Sequence, residues 1–270
     1  MIGIITVNYN QYQQTEEFLD SLTKVKNSQK ALVYITDLSS FKKNLNIKKY
    51  PFTVVVEKKE NKGYAFGVNC GLRYFLNREI NYFCVLNNDI FFDKNFLDEV
   101  EKTFKTTDIF GGKIYYAAGF EYHKKRYRKE DLGKVIWYAG GQIDWKNAFT
   151  FHQKVDEVDN GIDQNCQETE FITGCLLCFN KKVVEKVGFW DEKYFLYYED
   201  ADYCVRAKRA GFKLFYNPKI IIYHKNAQST GGSGSLIQQE FQKKSQLIFG
   251  LKYAPFKTKF HLLKNYLFKK

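Results

Sequence analysis

Apolar segments of strand length alternate with amphipathic helical segments over the first 108 residues. The strand-like segments are rich in β-branched and aromatic side chains and cover residues 2–7, 31–37, 52–57 and 82–89. Helical spacing of apolar side chains follows three of them, at Phe18, Leu19 and Leu22, at Tyr64, Val68, Leu72 and Phe75, and at Phe96, Leu97 and Val100. This alternation predicts a parallel sheet that is covered by helices on both faces.

The pattern changes after residue 108. Strand-like segments recur at 109–116, 135–138 and 170–179, but polar and basic loops now separate them. A helix is predicted from about Asp200 to Ala210, and two strands, KLFYN and KIIIYH, follow it. We therefore expect the second half to form a mixed sheet attached to the first.

The later part of the chain has a different composition. Residues 225–235 have the Gly- and Ser-rich composition of a linker or a mobile lid, and the segment after them has a helical composition. The predicted organisation is one domain over 1–232, with halves at 1–108 and 109–232, followed by a basic, aromatic helical tail at 233–270.

The chain carries 42 Lys and Arg against 30 Asp and Glu, a formal net charge of +12. Two clusters stand out: HKKRYRK at 123–129, and residues 241–270, where eight lysines and seven Phe or Tyr side chains occur without any acid. Such charge suits nucleic acid, anionic lipid or phosphorylated substrates. The tail from 236 to 270 is either an element that lies on a membrane surface or a helix that packs on the domain with a solvated basic face.

No segment reaches the roughly 18 consecutive apolar residues of a membrane-spanning helix, and the first residues, MIGIITVNYN, carry no basic leader. We therefore expect a cytoplasmic protein, either free or peripheral on the inner face of the cytoplasmic membrane. Cys175 and Cys178 form a C-x-x-C pair, but no second pair completes a zinc site. Reduced, mostly buried thiols are the expectation for the six cysteines.

Polar side chains occur where the predicted parallel strands end. These residues are Asn8, Asn10, Asp37, Asn87, Asn88 and Asp89. Because ligands of open α/β sheets bind at the carboxyl ends of the strands, the six side chains should converge on one crevice. Asp89 could help to hold a divalent cation that bridges two phosphates, or it could cap the helix that is predicted to start near Asp93.

Three further features have a structural and a functional interpretation. ENKGYAFGVNCGL matches neither GxGxxG nor GxxxxGK[ST], so Gly63 and Gly67 either allow a ligand to approach closely or serve as a turn and a packing glycine. Glu199 and Asp200 open a predicted helix, where the helix dipole alone favours acids. His224 ends the strand KIIIYH, a position where a single histidine is more often a surface or hydrogen-bonded residue than a ligand.

The order of these features is more informative than any one of them. The motifs follow one another in a fixed order along the chain. That order is VNYN, an Asp at the end of the second strand, NKGYAFGVN, LNND, a Gly-Gly near 140, TGC, GFWDEKYFLYYEDAD, RAGF and a strand-terminal His. This succession closely resembles the family 2 glycosyltransferases of GT-A type, especially the bacterial branch of rhamnosyl- and galactofuranosyltransferases. The resemblance extends from residue 2 to about residue 232.

The resemblance implies an α/β GT-A fold, a Rossmann-like, mostly parallel mixed sheet flanked by helices. It also implies an inverting, metal-dependent hexosyl- or deoxyhexosyltransferase. Such an enzyme takes its sugar from a nucleotide-diphosphate sugar, here a UDP- or dTDP-sugar, and acts on a hydroxyl of a glycan or lipid-linked acceptor in surface polysaccharide synthesis. Mg²⁺ or Mn²⁺ is the implied cofactor, and no nucleic acid is implied as a partner.

The family motifs also assign roles to individual positions. They imply Asp200 as general base, Asp89 as metal ligand, and His224 as a second ligand or diphosphate contact. The residues implied to bind the nucleotide sugar are Val7, Asn8, Tyr9, Asp37, Gly63, Ala65, Asn69, Asn87 and Asn88. Those implied on the acceptor side are Thr173, Gly174, Trp190 and Glu199. Asp202 is interpreted as helix-turn structure.

Two positions depart from the family pattern. Leu38 follows Asp37 where the family usually has an Asn, which leaves the choice of nucleoside base open. The metal motif reads Asn87-Asn88-Asp89 and so contains one carboxylate where some members have two. Metal affinity is then expected to depend on the bound diphosphate, as it often does for Mg²⁺.

Two other functions compete with this one. A nucleotidyltransferase would share the parallel sheet, but it would want a Gly-rich phosphate loop with a basic residue near the N-terminus, and MIGIITVNYNQ contains no Lys or Arg. A nucleic-acid-binding protein would explain the positive charge and predicts steeply salt-dependent binding. It gives no reason for the positions of Asp89, Asp200 and His224.

Overall fold

A computed structural model describes residues 1–41, 43–78, 80–162, 164–225 and 235–268. The elements of the first half are β1 Ile2–Asn8, α1 Tyr12–Leu22, β2 Ala31–Asp37, β3 Thr53–Lys58, α2 Tyr64–Leu76, β4 Tyr82–Leu86, β5 Ile90–Phe92 and α3 Phe96–Phe104. Those of the second half are β6 Ile109–Tyr116, β7 Ile136–Tyr138, β8 Gly141–Asp144, β9 Phe149–His152, β10 Gln167–Glu168, β11 Leu176–Asn180, α4 Lys181–Val187, α5 Glu199–Arg209, β12 Phe215–His224, α6 Leu236–Tyr253 and α7 Phe256–Phe268.

One large mixed sheet forms the centre of the fold. Its strand order is β10-β12-β6-β11-β4-β1-β2-β3, with β5 paired to β12 and β7 paired to β6. Strands β1 to β4 are parallel, β11 runs antiparallel between β4 and β6, and β12 is parallel to β6. Strands β8 and β9 form a separate hairpin. The predicted mixed, mostly parallel sheet is confirmed.

Both faces of the sheet are covered, which explains why its central strands are apolar throughout. Side chains alternate along β1, so that Ile4 contributes to one core with α1 and α3, while Ile5 contributes to the other core with α2 and α5. Phe18 of α1 and Phe75 of α2 are fully buried on these opposite sides. The helical spacing in the sequence therefore marks the faces that meet the sheet.

Several strand boundaries differ from the prediction. KLFYN and KIIIYH are not two strands but largely one, β12, with a register shift between Asn217 and Ile221 where Pro218 supplies no amide hydrogen. The predicted strand 170–179 begins only at Leu176, and β4 ends at Leu86 because the chain turns there toward β5. The hairpin β8–β9 was not predicted.

The tail continues the fold. Phe249 of α6 is fully buried in the core that contains α2 and α5, so this part of the tail packs on the domain. Within the described residues, none of the helices is both long and apolar enough to cross a membrane. The predicted linker or lid at 225–235 falls almost wholly on residues 226–234, outside the described part of the chain.

Candidate active site

The carboxyl ends of β1, β2 and β3 border a cavity of about 490 Å³. Its lining residues are Tyr9, Leu38, Ser39, Ser40, Lys58, Lys59, Glu60 and Asn61. Tyr9 was predicted to contact the nucleotide sugar, whereas no role was predicted for the segment 58–61. Charged and amide side chains after an edge strand have the pattern of ordinary solvated residues, so no sequence signal distinguishes them.

Asp37 lies beneath this cavity and is held by a dense set of hydrogen bonds. Its Oδ1 accepts from Asn8 Nδ2 at 3.0 Å and from the amide and hydroxyl of Ser39 at 3.1 and 2.6 Å. Its Oδ2 accepts from the hydroxyl of Tyr12 at 2.8 Å. Asn8 is itself fully buried and accepts from Thr15 at 3.1 Å. This network fixes the ends of β1 and β2 relative to each other.

Several residues predicted to contact the nucleotide sugar are buried behind the crevice. Ala65 is fully buried, and the Asn88 amide donates to Thr15 at 2.9 Å. Asn69 pairs with the main chain of Trp190 in both directions, at 2.9 Å each, and donates to Glu192 at 2.8 Å. These hydrogen bonds indicate that the side chains of Asn69 and Asn88 hold neighbouring segments of the site in place. Direct contact of either side chain with a ligand stays a prediction.

Gly63 and Gly67 are explained by close packing. Gly63 has φ +99°, and a side chain there would place its Cβ 2.4 Å from the main-chain oxygen of Phe195. The amide of Tyr64 donates to that same oxygen at 2.8 Å. A Cβ at Gly67 would lie 2.7 Å from Val7, which is itself buried. The glycine-rich segment thus joins the start of α2 to the aromatic segment before α5.

The pairing of β5 with β12 brings Asp89 and His224 together. In this register His224 is opposite Ile90, the residue after Asp89. Both side chains are buried, and Asp89 Oδ1 lies 3.1 Å from His224 Nε2. The helix after Asp89 begins at Phe96 with Asn95 before it, so the alternative of Asp89 as a helix cap is wrong.

The Asp89–His224 pair fits a divalent cation. Two neighbouring ligands at about 2.1 Å from an octahedral Mg²⁺ are about 3 Å apart, close to the observed separation. The ring nitrogens of His224 have no hydrogen bond within the described residues. No cluster of three or more His, Cys, Asp or Glu in that part of the chain could hold a metal. A cation here would therefore take its other ligands from phosphate and water.

Aromatic rings fix the orientation of His224, and sequence reasoning did not anticipate them. The Trp137 ring packs edge-on against His224, with ring centres 4.5 Å apart, and against His152 with ring centres 4.4 Å apart. Burial lowers the pKa of His152 to about 4, so it is neutral at pH 7. This second histidine therefore adds no positive charge beside a bound cation.

The residues predicted on the acceptor side reach the same edge of the sheet because β11 is antiparallel to β4. Leu176, which begins β11, pairs with Leu86, which ends β4. The turn before β11 therefore lies beside Asn87, whose amide donates to the main-chain oxygen of Cys175 at 3.4 Å. The amide of Gly174 in this turn donates to Asp200 Oδ2 at 2.7 Å. Asp200 is thus positioned over the end of β4.

The two acids at the start of α5 are poorly solvated. Burial raises the pKa of Asp200 to about 6, against the lowering effect of main-chain amides at Gly174 and Ala201. Burial raises the pKa of Glu199 well above its usual range, and the charge of Asp200 raises it further. At pH 7 we therefore expect Asp200 to be largely ionised, and Glu199 to be the harder of the two acids to ionise.

The backbone before α5 is strained. Tyr197 and Tyr198 both have left-handed conformations, with φ of 68° and 67°, each at a cost of about 1–3 kcal/mol. Tyr198 packs against Phe249 of α6, with ring centres 5.4 Å apart. This packing stabilises the turn that presents Glu199 and Asp200 at the crevice.

Asp202 fastens the tail to α5. It is fully buried, and its Oδ1 accepts from Lys252 Nζ at 2.6 Å and from the Tyr253 hydroxyl at 2.7 Å, both near the end of α6. Its Oδ2 accepts from Arg206 Nε at 2.6 Å. The interpretation of Asp202 as helix-turn structure is therefore incomplete, because Asp202 also anchors α6.

Tyr64 lies between Asn87 and the turn at Gly174, although the sequence showed it only as part of an apolar helix face. Its hydroxyl lies 3.2 Å from Asn87 Oδ1 and 3.3 Å from the main-chain oxygen of Gly174. Burial raises its pKa well above the usual value, and the charges of Glu199 and Asp200 contribute. Its position in NKGYAFGVN was the one available signal.

The predicted acceptor side also contains buried polar atoms without a partner in the described residues. These include Trp190 Nε1 and Glu199 Oε2. The Trp190 ring stacks on Tyr203 with ring centres 5.3 Å apart, and Thr173 is buried in the turn before β11. Buried polar atoms of this kind are expected to gain partners when a ligand binds.

The sequence model of Glycosyl transferase family 2 matches residues 3–188, and that of Glycosyltransferase like family 2 matches residues 148–243. The chain belongs to glycosyl transferase family 2. The resemblance inferred from the order of the motifs is confirmed. The first match includes Asp37, Asp89 and Gly174, and the second includes Asp200 and His224.

Named relatives are consistent with this family 2 assignment. The chain is 22% identical over 218 residues to the low-salt glycan biosynthesis hexosyltransferase Agl10 of Haloferax volcanii, covering 79% of this chain and 63% of Agl10. It is 36% identical over 61 residues to an N-acetylglucosaminyl-diphospho-decaprenol L-rhamnosyltransferase of Mycobacterium tuberculosis, covering 23% of this chain and 20% of that one. The chain thus spans less than two thirds of these relatives.

A solved structure confirms the GT-A fold of this family 2 member. GalNAc-T7, crystallised with UDP, GalNAc and Mn²⁺, superimposes with a TM-score of 0.68 at 14% sequence identity. The match covers 93% of this chain and 47% of GalNAc-T7. At this identity the likeness is one of fold.

Proposed function

We propose that this chain is an inverting glycosyltransferase that uses a nucleotide-diphosphate sugar and a divalent cation. The observation that carries the proposal is the convergence of Asp89, His224 and Asp200 on one edge of the sheet. Two findings support the same chemistry: the family membership, and the UDP and Mn²⁺ with which GalNAc-T7 was crystallised.

The two ends of the nucleotide-sugar would contact different parts of the crevice. The cavity at β1 to β3 suits the nucleoside, with Tyr9 at its wall and Asp37 beneath it. The diphosphate would lie toward Asp89 and His224, which would hold Mg²⁺ or Mn²⁺. The cation, when bound, neutralises the charge that develops on the leaving nucleotide. The sugar then faces the turn at Gly174.

Asp200 is suited to accept the proton of the attacking hydroxyl. Its two main-chain hydrogen bonds fix its direction, and its raised pKa of about 6 makes it a stronger base than a solvated aspartate. As the acceptor oxygen bonds to the anomeric carbon and the bond to the diphosphate breaks, the hydroxyl proton passes to Asp200. Attack from the side opposite the leaving group inverts the anomeric centre.

The acceptor is proposed to be a hydroxyl of a glycan or a lipid-linked sugar. The aromatic surroundings of Trp190 offer an apolar surface for a sugar ring, while Glu199 and Trp190 offer polar atoms for its hydroxyls. The rhamnosyltransferase relative is named for an N-acetylglucosaminyl-diphospho-decaprenol substrate, a lipid-linked acceptor. We further propose that the donor is a UDP- or dTDP-sugar and that the transferred group is a hexosyl or deoxyhexosyl group. We also propose that the protein is cytoplasmic and takes part in surface polysaccharide synthesis.

The decisive experiment is a panel of nucleotide sugars incubated with the purified chain and Mg²⁺ or Mn²⁺. Release of free nucleotide is followed with and without an acceptor sugar, and EDTA provides the metal control. We expect release with one sugar donor, loss of release in EDTA, and an inverted product anomer by NMR. A chain that binds duplex DNA tightly but neither binds nor hydrolyses any nucleotide sugar would contradict the proposal.

A further inference from the structure

The C-terminal helix α7 packs on the rest of the protein through one face. Thr258 is buried, and its hydroxyl donates to the main-chain oxygen of Lys146 at 2.9 Å. Leu262 lies one turn later on the same face and packs against Gly250 of α6. At 3.6 residues per turn, these two positions define the side of α7 that faces the protein.

The opposite face of α7 is apolar and exposed. Phe256, Phe260, Leu263 and Leu267 fall within about 60° of one another around the helix axis, on the side away from Thr258. Their side chains are 84%, 67%, 39% and 64% exposed, respectively. Four large apolar side chains in one exposed row mark an interaction surface.

Lysines border this apolar row on both sides. Lys257 and Lys264 lie along one edge and Lys259 along the other, while the helix contains neither Asp nor Glu. Lysine stems can lie along an apolar surface while the ammonium group stays in a polar layer. The arrangement is that of a helix lying in the plane of a bilayer surface.

We propose that α7 binds this protein to an anionic lipid surface, with its apolar row inserted below the headgroups and its lysines at the lipid phosphates. The charge pattern favours lipid over a second copy of the chain. Two copies paired through this face would bring lysine edges together with no acid in either helix to offset them. An anionic bilayer supplies both an apolar layer and negative charge.

The proposed surface lies beside the acceptor half of the crevice. Thr258 of α7 contacts the turn of the hairpin β8–β9, where Trp145 and Phe149 are 36% and 51% exposed. Gly141 of this hairpin pairs with Phe171, just before the turn at Gly174. Docking through α7 would hold the proposed acceptor side near the membrane, which suits a lipid-linked acceptor. Only this last point rests on the proposed function.

The test is co-sedimentation of the purified chain with phosphatidylcholine vesicles that do or do not contain phosphatidylglycerol. At about 0.1 M salt, where the Debye length is about 10 Å, we expect binding only to the anionic vesicles. Phe260→Glu should abolish binding, and Lys264→Gln should weaken it about fivefold. Leu236→Glu is the matched control: this side chain, at the start of α6, is 84% exposed, and the substitution should leave binding unchanged.

Two results would overturn the proposal. One is binding of Phe260→Glu equal to that of the parent protein. The other is a dimer, seen by light scattering without vesicles, that Phe260→Glu converts to a monomer. Thermal unfolding of each variant checks that it is folded. Nucleotide-sugar binding is measured separately, so that failure of lipid binding and failure of the proposed transferase activity give different results.

Discussion

The two sides of the crevice treat their carboxylates in opposite ways. On the nucleotide side, Asp37 receives hydrogen bonds from Asn8, Tyr12 and Ser39, so its oxygens are already occupied. On the proposed acceptor side, Asp200 receives two main-chain hydrogen bonds from the described residues, and burial raises its pKa. This difference supports the proposal that one side of the crevice fixes geometry and the other accepts a proton.

The largest expected effect comes from Asp200→Asn, which keeps the shape of the side chain and removes the base. We expect transfer to fall by about 10²–10⁴-fold, with the KM for the nucleotide sugar nearly unchanged. Steady-state kinetics with the matched sugar donor and acceptor measures both values. Transfer at a near-normal rate would remove Asp200 from the role of base.

The pH dependence of transfer tests the same carboxylate without a mutation. Because the pKa of Asp200 is raised to about 6, the ionised base is lost as the pH falls below 6. We expect kcat/KM to be level near pH 7 and to decrease by about tenfold for each pH unit below the midpoint. A midpoint near pH 4, the pKa of a solvated aspartate, would show that the base is not desolvated.

Asp37→Asn should affect stability more than chemistry. The new amide group would place a donor against the donors that now surround Asp37, and we expect the free energy of unfolding to fall by about 1–3 kcal/mol. Urea unfolding measures the loss, with kcat measured on the folded variant. If stability were unchanged while kcat fell as far as in Asp200→Asn, the division between the two sides would be wrong.

Tyr64→Phe tests the link between the two sides. The change removes one hydroxyl that lies near both Asn87 and Gly174. A lost hydrogen bond of about 0.5–1.5 kcal/mol should lower kcat/KM by roughly two- to tenfold. Tyr74→Phe on the outer part of α2 is the matched control, since the same hydroxyl is removed away from the crevice. Equal losses in both variants would point to a general effect on α2.

The smallest effect is expected from Glu199→Gln. Burial raises the pKa of Glu199 well above its usual range, which favours the protonated form. Glutamine has nearly the same shape as that neutral form, and we expect a change in kcat/KM below about threefold, less than 1 kcal/mol. A loss as large as that in Asp200→Asn would mean that Glu199 acts as a carboxylate.

The strands and the positions at their ends were predictable because their signals are local. A buried parallel strand is apolar along its whole length, and Asp37 and Asp89 stand where such runs stop. Position at a strand end placed Asp89 at the carboxyl edge of the sheet. The motif order then identified Asp200 and His224 as candidates, and the structure brings His224 to Asp89 and Asp200 to the neighbouring turn.

The remaining parts of the site depend on contacts between distant segments. The antiparallel insertion of β11 brings Gly174 to Asp200, and nothing local in the apolar run around Leu176 specifies that neighbour. Tyr64 has the pattern of a core residue because its ring is packed while only its hydroxyl reaches the crevice. Asn69 has the pattern of a ligand contact, yet its amide is paired with Trp190. Only the direction of each side chain in the folded protein shows that the Tyr64 hydroxyl reaches the crevice and that the Asn69 amide does not.

The Asp202 anchor has a practical consequence for dividing the chain. A protein cut after residue 232 would lose the aromatic side chain of Phe249 from its core and would leave Asp202 without Lys252. Such a fragment is expected to aggregate through the apolar surface that α6 otherwise covers. A cut after about residue 254 would remove α7 with its contacts through Thr258 and Leu262, but it would leave Phe249 and Lys252 in place. We therefore expect a chain that ends between α6 and α7 to keep its core closed, because α6 supplies Phe249 to that core, whereas α7 only packs against it through Leu262.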